Sequence, residues 1–355
     1  MRVLVTGGTG YLGSWVSREL VARGHTLRLL VRPQSRLDNI EDLPGERIVG
    51  DVTDAPSVER AVAGCEAVVH AAAVARLRAG DRENLMAVNE GGTQNVLGAA
   101  LRAGVRRTLF VASAGALGGT WDPVAMDEQW QGSADKVHVD YFVSKHRAEK
   151  VALELARAGL PLVILRPGVT LGPGDVYHSS AGTVLMLARG ALPAYVRGGG
   201  SYCDVRDVAH AHAEALERGR NGETYFLGGY NLELGELARV VSRLSGVRRP
   251  RRVPYPLMLA AAGLRELAAA TRGRRSAISR QLVRGARRYT FLDSAKAGRE
   301  LGYVNRPLEV TVRDTLRWFL DHGDLEPATP ALRALQGEGS GERRMLRHEP
   351  LERRA

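Results

Sequence analysis

Tyr141 and Lys145 stand four residues apart in the run YFVSK, at the start of a stretch with helical period, so both side chains fall on one face. A phenol titrates near 10 in isolation, and to act as acid or base near pH 7 it needs an adjacent positive charge that favours the phenolate. Lys145 is placed to supply one. On its own such a pair is an ordinary amphipathic helix turn; with a strand-end serine, Ser113, some 28 residues earlier and a glycine loop further ahead, it becomes a candidate acid–base pair. The loop is TGGTGYLGS, which follows the first apolar run directly and sets Gly7, Gly10 and Gly13 in a GxxGxxG spacing before a helical stretch, Trp15–Arg23. Glycines there let the chain turn tightly, bring backbone N–H groups up to a pyrophosphate and pack the helix on the sheet. The predicted ligand is a dinucleotide, with Thr9, Tyr11 and Leu12 completing the loop.

The second apolar run ends LRLLVRPQS. A site for NAD would carry Asp or Glu here to accept from the ribose hydroxyls, whereas this chain has Val31 followed by Arg32. Arginine suits bidentate contact with a 2′-phosphate, so NADP is favoured over NAD, with Arg36 as a second contact. Asp51 and Val52 follow the third strand in position to meet the adenine edge. After the fourth, Ala71, Ala72 and Ala73 are small enough to let a cofactor lie against the backbone.

Val3–Val5, Thr26–Val31, Ala67–Ala71, Thr108–Ala112 and Leu162–Leu165 read as buried strands separated by helical stretches. Parallel neighbours need such crossovers, so the prediction is an α/β fold, a Rossmann-type doubly wound parallel sheet. Residues 1–171 form the nucleotide-binding part. From about Gly172 the chain breaks into shorter pieces rich in Gly, Pro and Tyr, as a smaller, mixed substrate-binding part over 172–325 would, with some segments returning to the core. Glu233–Gly246 and Leu308–His322 are predicted helices. Residues 335–355 are predicted to be a disordered tail.

The 355 residues carry 50 Lys and Arg against 39 Asp and Glu, a net charge of +11. Residues 246–288 hold twelve arginines, no lysine and one acid, Glu266, so this segment alone accounts for the excess. Either it docks on an anionic membrane or admits a lipid-like or anionic substrate, or it is a solvated helical cap. Nucleic acid is not expected as a partner, since no stacking-aromatic pattern accompanies the charge and aromatics make up only 5%. Cys65 and Cys203 match no metal spacing, and no pair among His138, His178, His210 and His212 has one with a carboxylate, so no metal site is predicted. The chain shows no targeting segment and no apolar run longer than Leu257–Leu264, and a cytoplasmic location is expected.

The runs TGGTGYLG, GDVTD, VVHAAA, NEGGTQNVL, LFVASAG, YFVSK, LRPGVTLGPGD, DVRDVAHAH and FLDSAKAGRELGY together resemble the extended short-chain dehydrogenase/reductases, the NAD-dependent epimerase/dehydratase family. The resemblance covers about residues 1–320 and is nearest the branch of dihydroflavonol-reductase-like, 3β-hydroxysteroid-dehydrogenase-like and hopanoid-associated epimerase-like proteins. It implies that Ser113 donates to a substrate carbonyl oxygen beside Tyr141, that Lys145 also serves the nicotinamide ribose, and that Asn89 organises a water near the lysine. It further implies cofactor contacts from Pro167, Gly168 and Val169, and a homodimer. Dehydratases carry acids after the catalytic hydroxyl, where this chain has Ala114 and Gly115. Nucleotide-sugar enzymes carry an arginine before the DVxDVA motif, where Gly200 falls here, with Arg197 nearby. The segments Val169–Ser180, Ala191–Arg197 and Ser201–Asp204, with Tyr177, Tyr195 and Tyr202, read as the lining of a largely apolar pocket. The expected activity is NADPH-dependent reduction of a ketone or aldehyde on a small, largely apolar molecule, or the reverse oxidation. The alternatives are a nucleotide-sugar epimerase with tightly bound NAD and a non-catalytic NADP sensor.

Overall fold

A computed structural model describes residues 1–75, 82–272, 276 and 278–338. The first half alternates strand and helix: β1 (Arg2–Thr6), α1 (Tyr11–Ala22), β2 (Thr26–Val31), β3 (Glu46–Val49), α2 (Ala55–Val62), β4 (Ala67–His70), α3 (Arg82–Met86), a π-helical turn (Ala87–Gly91), α4 (Gly92–Arg102), β5 (Arg107–Val111), α5 (Asp140–Arg157) and β6 (Leu162–Pro167). Then come β7 (Val169–Leu171), α6 (Gly182–Ala188), β8 (Ala194–Tyr195), β9 (Gly199–Asp204), α7 (Val205–Arg218), β10 (Thr224–Leu227), β11 (Tyr230–Glu233), α8 (Leu234–Ser245), β12 (Arg251–Arg252), α9 (Tyr255–Ala270), α10 (Arg280–Ala286), β13 (Tyr289–Thr290), α11 (Ala295–Leu301), α12 (Leu308–Asp321) and α13 (Pro330–Glu338).

Seven strands form one parallel sheet in the order β10-β6-β5-β4-β1-β2-β3. Alternation along each strand feeds two cores. Val3, Val5, Leu27 and Leu29 meet Val16 and Leu20 of α1 and Val208 and Leu216 of α7; Leu4, Leu30 and Phe110 face the other way, onto Val96 of α4 and Ala148 of α5. Strand order reverses between β1 and β4, which puts the glycine loop and Ala71–Ala73 on either side of the crevice where doubly wound sheets bind ligands.

A third core joins β7 and β9 to α6, α8, α12 and α13. The helix Pro330–Glu338 buries Leu332 and Leu335 in it, so residues 335–338, assigned to the tail from their polarity, are helical; 339–355 lie outside the described residues. Among the described residues no helix is long and apolar enough to cross a membrane.

Candidate active site

The glycine loop is shaped by close backbone approach. Gly7 has φ +75°, and a Cβ there would lie 2.5 Å from the Ala72 nitrogen; a Cβ on Gly13 would lie 2.2 Å from the Gly7 oxygen. Real side chains tolerate neither, and the loop closes with the Gly10 N–H donating to the Gly7 carbonyl (2.9 Å) at the start of α1. Across the crevice the Ala71 N–H donates to the Thr6 carbonyl (3.1 Å) and the Ala72 N–H reaches Thr6 Oγ1 (3.4 Å). Thr9 is buried beside the turn, and Leu12 packs against two of the cores. Gly168 lies close against β9, where a Cβ would meet the Ser201 carbonyl at 2.3 Å; it sits between buried Pro167 and half-buried Val169. A glycine turn leading straight into the N-terminus of α1 suits a dinucleotide, which these residues would hold.

The other candidate cofactor residues take varied places. Asp51 turns one carboxylate oxygen back to accept from the Thr53 N–H and hydroxyl, and Val52 is buried under Gly92. Arg32 is exposed at the end of β2; its carbonyl accepts from the Ser35 N–H (3.0 Å), and its guanidinium has no partner among the described residues. The Arg36 guanidinium pairs with Asp38 (3.0 Å), both side chains more than half exposed, and reaches the Val176 carbonyl (3.3 Å). The Tyr11 hydroxyl donates to the Gly172 carbonyl (2.9 Å). Trp15 Nε1 and Asn39 Nδ2 donate beside it to the carbonyls of Pro173 (2.8 Å) and Gly174 (3.0 Å), bolting the nucleotide-binding half to the start of the substrate half.

Ser113 leaves β5 in an extended conformation and caps the short 3-10 turn Ala114–Leu117, its Oγ accepting from the Gly115 N–H at 3.2 Å. The first turn of α5 brings Tyr141 Oη to 3.5 Å from Ser113 Oγ. That is at the outer limit of a hydrogen bond and leaves room for an oxygen that accepts from both hydroxyls. One helical turn on, Lys145 is buried, donates to the Val111 carbonyl at 2.7 Å and lies 5.1 Å from the centroid of the Phe110 ring. The expectation that Lys145 lowers the Tyr141 pKa is not what this arrangement gives. Burial raises the phenol above its usual value, partly offset by Ser113, because the ammonium is turned to Val111. Desolvation in turn lowers Lys145 to about 8. Below the pair, His70 lies between Thr6 Oγ1 (2.7 Å) and Thr93 Oγ1 (3.0 Å); burial and the nearby lysine lower it to about 3, so it is neutral.

Asn89 is buried in the π-helical turn. Its amide accepts from the Val74 N–H (2.8 Å) and donates to the Val74 carbonyl (3.1 Å) and to Ser144 Oγ (2.9 Å). It therefore clamps the chain after β4 to the helix that carries Tyr141 and Lys145. The tyrosines read as pocket lining also belong elsewhere: Tyr202 is buried in the third core, Tyr177 packs on it, and the Tyr195 ring end covers Gly235.

Two features near the cluster escaped the sequence reading. A Cβ on Gly115 would strike the Phe142 ring at 2.6 Å, and Ala114 is buried among Leu117, Met126, Phe226 and Leu292. Neither position after Ser113 has space for the acid that dehydration needs. In addition Glu149, two turns after Tyr141 on α5, forms a buried ion pair with Arg166 of β6, whose guanidinium lies 4.7 Å from the Phe226 ring centroid. Spacing shows Glu149 on the face of Tyr141 and Lys145, but nothing in the run LRP signals its partner.

A sequence profile of the NAD dependent epimerase/dehydratase family matches residues 3–228. Sterol demethylase protein B of Methylococcus capsulatus is 34% identical over 331 residues, covering 91% of this chain and 99% of the relative. The 4-hydroxy-2-methyl-3-oxo-4-farnesyl-3,4-dihydroquinoline-1-oxide ketoreductase of Stigmatella aurantiaca is 31% identical over 325 residues, with 89% and 96% covered. The solved structure of gox2253 superposes with a TM-score of 0.80 at 41% identity, covering 91% of this chain and 99% of that one. The chain belongs to the NAD dependent epimerase/dehydratase family and is an NAD(P)-dependent oxidoreductase.

Proposed function

We propose that this protein is an NADP-dependent carbonyl reductase acting on a largely apolar small molecule of terpenoid, steroid or related type. The observation that carries the chemistry is the approach of Tyr141 Oη to Ser113 Oγ at 3.5 Å with Lys145 one turn further on. The substrate class is supported by the relatives, one named for sterol demethylation and one for reducing a farnesylated quinoline oxide. When bound, the nicotinamide supplies the hydride. Ser113 and Tyr141 donate to the substrate oxygen and stabilise the charge that develops there; Tyr141 then passes its proton to the alkoxide. Lys145, anchored by its bond to the Val111 carbonyl, would supply donors and positive charge to the nicotinamide ribose. Wild-type enzyme is expected to oxidise NADPH with a sterol or terpenoid ketone, and no turnover with any member of a ketone panel would sink the reductase reading.

NADP is proposed on the strength of Arg32, which is exposed, with its guanidinium unpartnered among the described residues, where an acid would serve NAD. Arg32→Ala is expected to weaken NADPH about tenfold or more and leave NADH nearly unchanged, read by fluorescence titration. Equal affinity of the wild type for both nucleotides would remove the preference.

One observation favours the epimerase alternative. Arg197, Arg252 and Arg287 line a cavity of about 370 Å³ with Val253, Pro254 and Tyr255. Arg197 Nε donates to the Tyr289 hydroxyl (2.9 Å) and Arg287 lies over the Tyr255 and Trp121 rings, but none of the three has a carboxylate within 4 Å among the described residues, so the cavity suits an anionic group such as a diphosphate. Nucleotide sugars therefore belong in the same substrate panel.

A further inference from the structure

Helix α9 is apolar on two sides. Its inner face sets Tyr255, Met258, Leu259 and Ala262 against Val196, Ile278 and Val283. Its outer face exposes Leu257, Leu264 and Leu267 to 65%, 69% and 65%, with Ala260, Ala261 and Ala268 exposed between them. These positions recur every three or four residues and so form one stripe along the helix. A solvated cap would be polar there. A contiguous outward stripe of leucine and alanine has nothing to recommend it in water and marks a contact surface.

Charge decides what covers it. Arg265 and Arg272 stand on or just past the helix, and Arg248, Arg249, Arg251 and Arg284 lie on the segments packed beside it or leading into it. All six are exposed, and none has a carboxylate within 4 Å among the described residues. The one acid of the segment, Glu266, is taken by Arg280, which donates from its backbone N–H (2.9 Å) and its Nε (2.7 Å). A second copy of the chain does not fit, because a two-fold contact would bring the same arginines face to face. An apolar stripe flanked by uncompensated arginines matches the boundary of an anionic bilayer, where leucines enter the acyl region and guanidinium groups meet phosphates.

We propose that the outer face of α9 docks the protein on anionic membrane surfaces through Leu257, Leu264 and Leu267, with the surrounding arginines on the lipid headgroups. This goes beyond the catalytic reading and does not depend on it. Cosedimentation of the full chain with phosphatidylcholine vesicles containing one quarter phosphatidylglycerol, or none, tests it. Wild type is expected to bind the anionic vesicles about tenfold or more tighter than the neutral ones. Leu264→Ser with Leu267→Ser, and separately Arg265→Glu with Arg272→Glu, are each expected to lose about tenfold in that binding with NADPH affinity and melting temperature unchanged. Equal, negligible binding of wild type to both vesicles would overturn the proposal, as would anionic-vesicle binding that survives both double substitutions. A wild-type dimer in sedimentation equilibrium that the leucine variant dissolves, without vesicle binding, would assign the face to a second copy.

Discussion

Tyr141→Phe is expected to lower turnover by about 10³-fold or more while leaving the fold and NADPH affinity nearly intact. The substitution removes one oxygen, the one 3.5 Å from Ser113 Oγ, and none of the hydrogen bonds that hold α5 in place. Those run from Ser144 Oγ to the Tyr141 carbonyl (2.8 Å) and from Asn89 to Ser144, and neither uses the phenol. Ser113 remains to polarise the substrate oxygen, so a small residual rate is consistent with the assignment; full activity would remove Tyr141 from the mechanism. The pH profile of reduction carries the same chemistry. With Lys145 lowered to about 8, its positive charge is present below that pH and lost above it, so kcat/KM for reduction should fall along a limb near 8. The sign for stability is the reverse. Burying the charged lysine costs stability below pH 8, and the cost is relieved as pH rises toward its unfolded value of about 10.4.

The second large effect is on stability. Glu149→Ala is expected to cost about 3–5 kcal/mol, read by equilibrium urea unfolding, because it leaves the buried Arg166 guanidinium without its ion-pair partner and with only the charge of Glu128 to favour it. Burial already lowers the Arg166 pKa to about 10 with the carboxylate in place. Glu149 Oε2 and Arg166 Nε have no hydrogen-bond partner among the described residues, so the pair bears much of its desolvation cost uncompensated. Replacing both members, Glu149→Leu with Arg166→Met, should therefore recover most of the loss. A double variant as unstable as the single one would show that the cost lies in packing. Because Glu149 shares its helix face with Tyr141 and Lys145, the single variant should also loosen the catalytic turn.

The parts legible in the sequence are those where backbone geometry restricts residue type. Gly7 and Gly13 are visible because no other residue fits, and the strands because parallel strands buried on both faces leave unbroken apolar runs. Tyr141 and Lys145 are visible through helical spacing. What stays hidden depends on partners distant in sequence. The Tyr11 hydroxyl reaches a carbonyl 161 residues away, and Lys145 is turned to Val111 by a main-chain oxygen that any residue would have provided. Tyr177 and Tyr202 mislead in the other direction, since a polar tip on a large ring suits a pocket wall and a core equally. The last helix is hidden because only Leu332 and Leu335 distinguish it from the polar sequence that follows.

The seam made by Tyr11, Trp15 and Asn39 consists of three side chains donating to the main-chain oxygens of Gly172, Pro173 and Gly174. Oxygens of that kind belong to every residue, so at this seam the three donors recognise the path of the chain, while the apolar packing of α1 on α7 depends on side chains. Path is fixed locally by Gly172 at φ +131° and Gly174 at φ +101°, conformations that glycine takes readily. Any insert entering through the same Gly-Pro-Gly bend would meet the same three donors.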